Sequence, residues 1–320
     1  MSEVTSLDGS KMSEGASATR AFATYSQTVL KKIAMNLFRW HRLLLLLLTI
    51  VLISPAAQSE QPLNITWREN HLTITGEHLP GKTMKVFYIE AYCRPGSTDR
   101  DWGKSVIGHT TEMISTNDDH TQIKLRDKLN DGVTVDHTIT ATHDEIDFHL
   151  VAHNPTDQPS LAQWAQPCIQ VPEFTGCSRD DAGELVPEYS RKCFLFIDGE
   201  IRRMPTQPWA ENARYTPGQV YCPLHVDRND VNPRPLSTLV PSIGLTGCYS
   251  ADEKMVMACC WEPYQEIFLG VITCIHNDFR LGGLEPGEKK IIRGKMYFVP
   301  ADIPALLKRF SKDFPEQAQP

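Results

Sequence analysis

The chain has 320 residues, with 32 Lys and Arg against 39 Asp and Glu, a net charge of -7. The first 59 residues hold six basic and three acidic side chains, so the remainder stands near -10. That balance argues against nucleic acid or an anionic membrane surface as a partner.

Residues 1–34 are polar, rich in Ser, Thr and Ala, and carry no hydrophobic period; they read as an extension upstream of the natural start at Met35. Residues 35–59 have the layout of a secretory signal peptide. Arg39 and Arg42 lie in a basic n-region, Leu43 to Ile53 form an eleven-residue apolar core, and Ala57 and Ser59 supply small residues for cleavage. The core is short for a membrane span of about 20 residues. An uncleaved anchor is the other reading; cleavage after Ser59 leaves no integral membrane segment. A secreted or periplasmic protein is expected, with residues 60–320 as one domain. That length suits one large all-β domain.

All nine cysteines lie beyond residue 59. Export permits disulfides, and small buried hydrophobes are the alternative for any one cysteine. No C-x-x-C occurs, so neither a zinc site of ordinary spacing nor any cofactor is expected.

Strand signals dominate the rest. Short strands are expected at Ile65–Trp67 and Leu72–Thr75, a longer one at Lys85–Ala91, then Ser105–Ile114 and Thr121–Leu125. Val133–Thr142 and Glu145–His153 alternate apolar and polar residues, the period of a half-buried strand. Leu161–Val171 and Cys193–Ile197 follow, and Asp198-Gly199 is a hairpin turn. Residues 204–241 hold seven prolines, a long irregular connection of the kind that often carries function. Ile243–Leu245 and Met255–Trp261 return to strand. Glu262–Glu266 reads as a polar turn, Ile267–Ile275 as one apolar strand, and His276, Asp278 and Arg280 as a charged loop. Lys289–Val299 is the last strand. One helix follows, capped by Asp302, with Pro304 in its first turn, ending before Pro315. Many strands with frequent turns predict an all-β protein, a large antiparallel β-sandwich with one short C-terminal helix.

The densest bunching of polar and aromatic residues is around Trp261. An aromatic ring beside carboxylates and amides suits sugar recognition: the ring packs on C–H faces, and polar groups hydrogen-bond hydroxyls. The candidate ligand-binding residues are Trp261, Glu262, Gln265, Asp278 and Arg280. Glu90, Arg94, Trp102, Gln163 and Trp164 form a possible second wall. Glu266 is the candidate general base and His276 the candidate acid. A structural turn with surface charges accounts for the same residues. G-x-S-x-G, H-E-x-x-H and the Cys–His signatures of known hydrolases are absent.

Three stretches carry a resemblance: EAYCRPGSTDRDW (Glu90 to Trp102), WAQPCIQVPEFTG (Trp164 to Gly176) and Trp261 to Phe298. They resemble a family of uncharacterised secreted bacterial proteins, chiefly of planctomycete type. More remotely, the P-G-E turn, last strand and short helix of Leu284 to Phe310 resemble galactose-mutarotase-like β-sandwich domains. That resemblance implies a carbohydrate partner and, in the epimerases of the superfamily, a Glu base and a His acid on the concave sheet face. The expected function is thus an exported carbohydrate-binding or carbohydrate-processing protein. The alternative is a non-catalytic structural or interaction protein of the cell envelope.

Overall fold

The computed structural model describes residues 61–96, 102–177, 188–205, 219–231, 234–270 and 272–317. The extension at 1–34 and the signal segment at 35–59 lie outside the described residues. The strands in chain order are β1 (Asn64–Arg68), β2 (His71–Thr75), β3 (Thr83–Cys93), β4 (Val106–Ile107), β5 (His109–Thr116), β6 (Gln122–Leu129), β7 (Thr134–Ala141) and β8 (Glu145–His153). They continue with β9 (Trp164–Gln170), β10 (Cys193–Ile197), β11 (Glu200–Arg203), β12 (Thr246–Tyr249), β13 (Met255–Glu262), β14 (Tyr264–Gly270), β15 (Cys274–Arg280) and β16 (Lys289–Pro300). Helices are few: α1 (Trp102–Ser105), α2 (Pro172–Thr175) and α3 (Ile303–Asp313), with a 3-10 turn at Glu188–Lys192. No helix among the described residues is long and apolar enough to cross a membrane.

The strands form two antiparallel sheets, the β-sandwich class that the alternating patterns predict. One has seven strands in the order β1-β2-β3-β9-β15-β14, with β4 beside β3. The other has nine, in the order β11-β10-β12-β13-β16-β8-β7-β6-β5. β6, β7 and β8 alternate buried and accessible residues along their whole length, so one face meets the core and one meets solvent. Ile123, Leu125, Val135, Ile139, Phe148 and Leu150 are the inward set. They pack against Tyr88, Tyr92, Ile169, Ile267, Ile275 and Phe279 of the facing sheet. Each such side chain contributes roughly 1.5–3 kcal/mol on burial.

β9 and β14 are different, because every residue of each is buried. Their second face is roofed by the proline-rich connection. Tyr221 exchanges backbone hydrogen bonds of 2.8 and 2.9 Å with Ile267, and Val220, Cys222, Val226 and Val231 pack on Phe268. This double covering explains two departures from the sequence reading. A strand buried on both faces shows no period of two, so Ile267–Ile275 looks like a single apolar run. It is a hairpin instead, turning at Thr273, whose φ is 58°. His276, Asp278 and Arg280 therefore sit on strand β15 and not in a loop. The strand expected at Ile243–Leu245 begins a few residues later, at Thr246.

Helix α3 starts as its sequence predicts. The Asp302 side chain accepts the Ala305 N–H at 3.0 Å, and Leu306 and Phe310 are buried against Val256, Tyr297 and Val299. Arg309 then ties the helix to the start of β8 through paired hydrogen bonds of 2.6 and 2.9 Å to Asp144. Asp302→Ala is expected to lower stability by about 1 kcal/mol, the usual worth of an N-cap. A shift in the urea midpoint at unchanged m-value would register it; no shift would show that the cap is redundant with the Arg309 clamp.

Candidate functional site

A strand sends residues i, i+2 and i+4 to one face. On β15 the core side takes Ile275, Asn277 and Phe279, and the outer side takes Cys274, His276, Asp278 and Arg280. The neighbours in register complete this outer face. Cys168 of β9 stands opposite His276, and Phe268 of β14 stands on its other side. Two irregularities add carboxylates and an amide. A register shift in β14 between Tyr264 and Glu266 gives the strand an extra residue, Gln265. A second shift in β3 between Phe87 and Ala91 spans Glu90. Bulges of this kind re-aim side chains beside functional sites.

His276 is the centre of the cluster and only 4% exposed. Its ring stacks on Phe268, with centroids 4.3 Å apart and planes within 3°. Nε2 lies 3.4 Å from the Cys274 sulfur. Nδ1 lies 3.2 Å from the Gln166 side-chain amide and 3.6 Å from Asp278 Oδ1, the latter beyond ordinary hydrogen-bond length. Gly270 faces this pair across the hairpin. A Cβ there would come within 2.3 Å of the Cys274 sulfur and 3.1 Å of His276 Nε2, so only glycine leaves the pair its room.

Electrostatics in the cluster are far from those of exposed groups. A hydrogen bond from the Cys168 thiol, together with the His276 charge and against burial, brings the Cys274 thiol down to about 5. Burial opposes the imidazolium of His276, but Cys274 and Asp278 outweigh it and hold the group well above its usual range. Burial pushes the Asp278 carboxyl up to about 7, against the pull of His276. Glu90, half-buried, is raised by burial, with His276 lowering it and Cys274 raising it. Glu266 is fully buried. Burying so many ionisable groups on one sheet face costs stability, and perturbed groups gathered in this way mark functional sites more often than scaffolding.

A polar rim adjoins this floor. Arg280 donates to Gln265 Oε1 at 2.5 Å and approaches Asp230 Oδ2 at 4.0 Å. Asp230 also accepts the Gln163 amide at 3.4 Å and the Gly96 N–H at 3.2 Å. It therefore latches the proline-rich roof onto β9, β15 and the loop after β3.

The structure brings together Glu90, Gln163, Gln265, Glu266, His276, Asp278 and Arg280 from the expected set. It places others elsewhere. Trp261 is 3% exposed inside the sandwich, its ring 5.1 Å from Phe148 and 4.9 Å from Phe279. It has no free face for a sugar. Glu262 sits beside Gln317, which donates to it, and near Arg293 and Glu316, away from His276. Trp164 is on the outer face but completely buried against Ala91 and Cys93. Arg94 donates to the Val106 carbonyl at 2.5 Å, a local bond to the strand beside it. Trp102 is 44% exposed on α1. The sequence reading missed Cys168, Cys274 and Asp230 as members of the site; Gln166 stood beside Gln163 and Trp164 in the same polar and aromatic mixture. Cys274-x-His276-x-Asp278 was visible as a same-face pattern once the segment is known to be a strand.

No protein-family model matches the chain, and no curated protein matches its sequence. Solved structures that match in comparison include a galactose mutarotase-like protein from Lactobacillus casei ATCC 334, at 9% identity and a TM-score of 0.40, covering 74% of this chain and 99% of the other. A putative aldose 1-epimerase from Escherichia coli K12 also matches at 9% identity and a TM-score of 0.37, covering 74% and 98%. So does the α-N-acetylgalactosaminidase NagBb of Bifidobacterium bifidum, at 11% identity and a TM-score of 0.37, covering 79% of this chain and 37% of that one.

Proposed function

We propose that the protein is an exported carbohydrate-binding or carbohydrate-processing protein whose ligand site is the outer face of the seven-stranded sheet. The supporting observation is the gathering of Glu266, Asp278, Glu90 and His276 on that face beside the Gln163–Asp230–Arg280 rim; these groups lie beneath the roof, so in this reading a sugar reaches them only when the Asp230 latch opens. Carboxylates, amides and a guanidinium at close quarters match a ring of hydroxyls, and Glu266 with His276 supplies a base to take the proton of an anomeric hydroxyl and an acid to protonate the ring oxygen as its bond to the anomeric carbon breaks. With Trp261 in the core, recognition rests on hydrogen bonds and not on stacking by that ring. Export rests on the basic, apolar and small-residue layout of residues 35–59.

Saturation-transfer NMR and isothermal titration against a panel of aldoses and oligosaccharides test the reading, with polarimetry of freshly dissolved α-D-galactose as a readout of turnover. At least one sugar is expected to bind. Glu266→Gln should abolish turnover, or cut it at least 100-fold, with the thermal midpoint held, because the amide keeps the carboxyl's shape. A folded protein that binds no sugar in the panel removes the proposal and leaves the envelope structural or interaction protein as the better reading.

A further inference from the structure

We propose that Cys168, Cys274 and His276 form a three-donor site for a thiophilic divalent cation, zinc(II) in the first instance. The inference goes beyond the sugar reading and stands without it. The two sulfurs and a ring nitrogen all lie within 4.8 Å of one another, and all three residues are buried. Ligands on a tetrahedral zinc, with Zn–S near 2.3 Å and Zn–N near 2.0–2.1 Å, sit about 3.5 Å apart. The distance of 3.4 Å between Cys274 Sγ and His276 Nε2 is already that edge.

The donors come from rigid elements. Cys274 and His276 share one face of β15, and Cys168 stands opposite His276 on the paired strand β9. No loop has to close to assemble them. Gly270 keeps side-chain volume away from Cys274 and from Nε2, and the stack on Phe268 fixes the ring plane. With Nε2 on the cation, the ring's N–H is on Nδ1, which lies 3.2 Å from the Gln166 side-chain amide and 3.6 Å from Asp278 Oδ1; the Gln166 amide then turns its N–H away from Nδ1, and the ring N–H is left to Asp278. A carboxylate behind a ligating histidine is the usual outer shell of such sites. Asp278 is fully buried, yet neither of its oxygens accepts a hydrogen bond among the described residues. A ring N–H fixed toward it by a bound cation supplies the missing donor.

Three protein donors leave a fourth position, the pattern of zinc sites that bind water or substrate. An occupied site removes Nε2 from proton transfer, so the acid role proposed above for His276 belongs to the metal-free protein.

The test uses the full chain, purified under reducing conditions. Dialysis against zinc(II) followed by metal analysis is expected to give roughly one ion per chain, and cobalt(II) loading a thiolate-to-metal charge-transfer band of a tetrahedral site. Cys274→Ser and His276→Gln should each lose that band, while Cys222→Ala, outside the cluster, should keep it. Asp278→Asn should keep the band but weaken binding by about 10–100-fold, as expected of a positioning residue. Reduced, folded wild-type protein that takes up no cobalt(II), or takes it up without sulfur charge transfer, overturns the proposal irrespective of how the variants fold. So does a folded Cys274→Ser variant with unchanged affinity. Metal content is read without sugar, so a failed sugar panel does not bear on this result.

Discussion

Asp127→Ala is expected to lower the unfolding free energy by about 2–6 kcal/mol, the cost of leaving two buried donors without their acceptor at ~1–3 kcal/mol each. Asp127 lies between the sheets, 1% exposed, on a strand otherwise filled by apolar inward residues. It accepts the Tyr92 hydroxyl at 2.5 Å and faces His137 Nε2 at 3.1 Å. His137 in turn meets the Tyr88 hydroxyl at 2.8 Å through Nδ1. Truncation leaves the Tyr92 hydroxyl and the His137 ring without their acceptor in a site that water does not reach. The difference between wild type and variant should also depend on pH. Burial pushes the Asp127 carboxyl up, but its contacts with His137 and the Tyr92 hydroxyl outweigh it and hold it below its usual value. A depressed carboxyl contributes its stability above the unfolded value of about 3.9 and loses it as pH falls through the lower folded value. Urea unfolding at pH 7 and near pH 3 should therefore show the gap narrowing in acid. A gap that is constant or widens would rule out the carboxylate form as its source.

Trp261→Ala should cost a similar amount, about 3–5 kcal/mol, or on the order of 10 °C in melting temperature. The ring is wedged between Phe148 and Phe279 and lies over Gly294 of β16, where a Cβ would come within 2.2 Å of it. Gly294→Ala is thus expected to destabilise by pushing on the same ring from below. Circular dichroism melts check both. A Trp261→Ala protein that melted like wild type but lost sugar binding would restore the ring to the ligand site.

These cases show which parts of the molecule the sequence makes legible. β6, β7 and β8 announce themselves because one face of each is wet, and alternation is the trace of that difference. Helix α3 does so through Asp302, Pro304 and the spacing of Leu306 and Phe310. The outer face of β9, β14 and β15 is hidden for the opposite reason. A roof supplied by residues 219–231 and 234–237 covers the face that the core does not, so Cys274 reads as one more apolar residue and His276 as the start of a loop. Asp230, which latches the roof, sits among prolines with no local period at all. Trp261 misleads because a tryptophan between polar neighbours looks the same in sequence whether its ring points to solvent or to the core. The carboxylates, His276 and Arg280 were found by type; their convergence needed the register of three strands.

The order of the nine-stranded sheet has a further consequence. β16 is the last strand in the chain, yet it lies in the middle, with β13 on one side and β8 on the other. The earlier half of that sheet, β5 to β8, and the later half, β10 to β13, share no ladder until β16 is laid between them. Until that strand is laid in, each half carries an open edge of unpaired backbone groups. The ladder between β8 and β16 joins residues more than a hundred positions apart, which makes closure slow and non-local. A chain cut short before Lys289 would hold two incomplete ribbons, and the interval before β16 docks is when a chaperone or an aggregation partner has its opportunity.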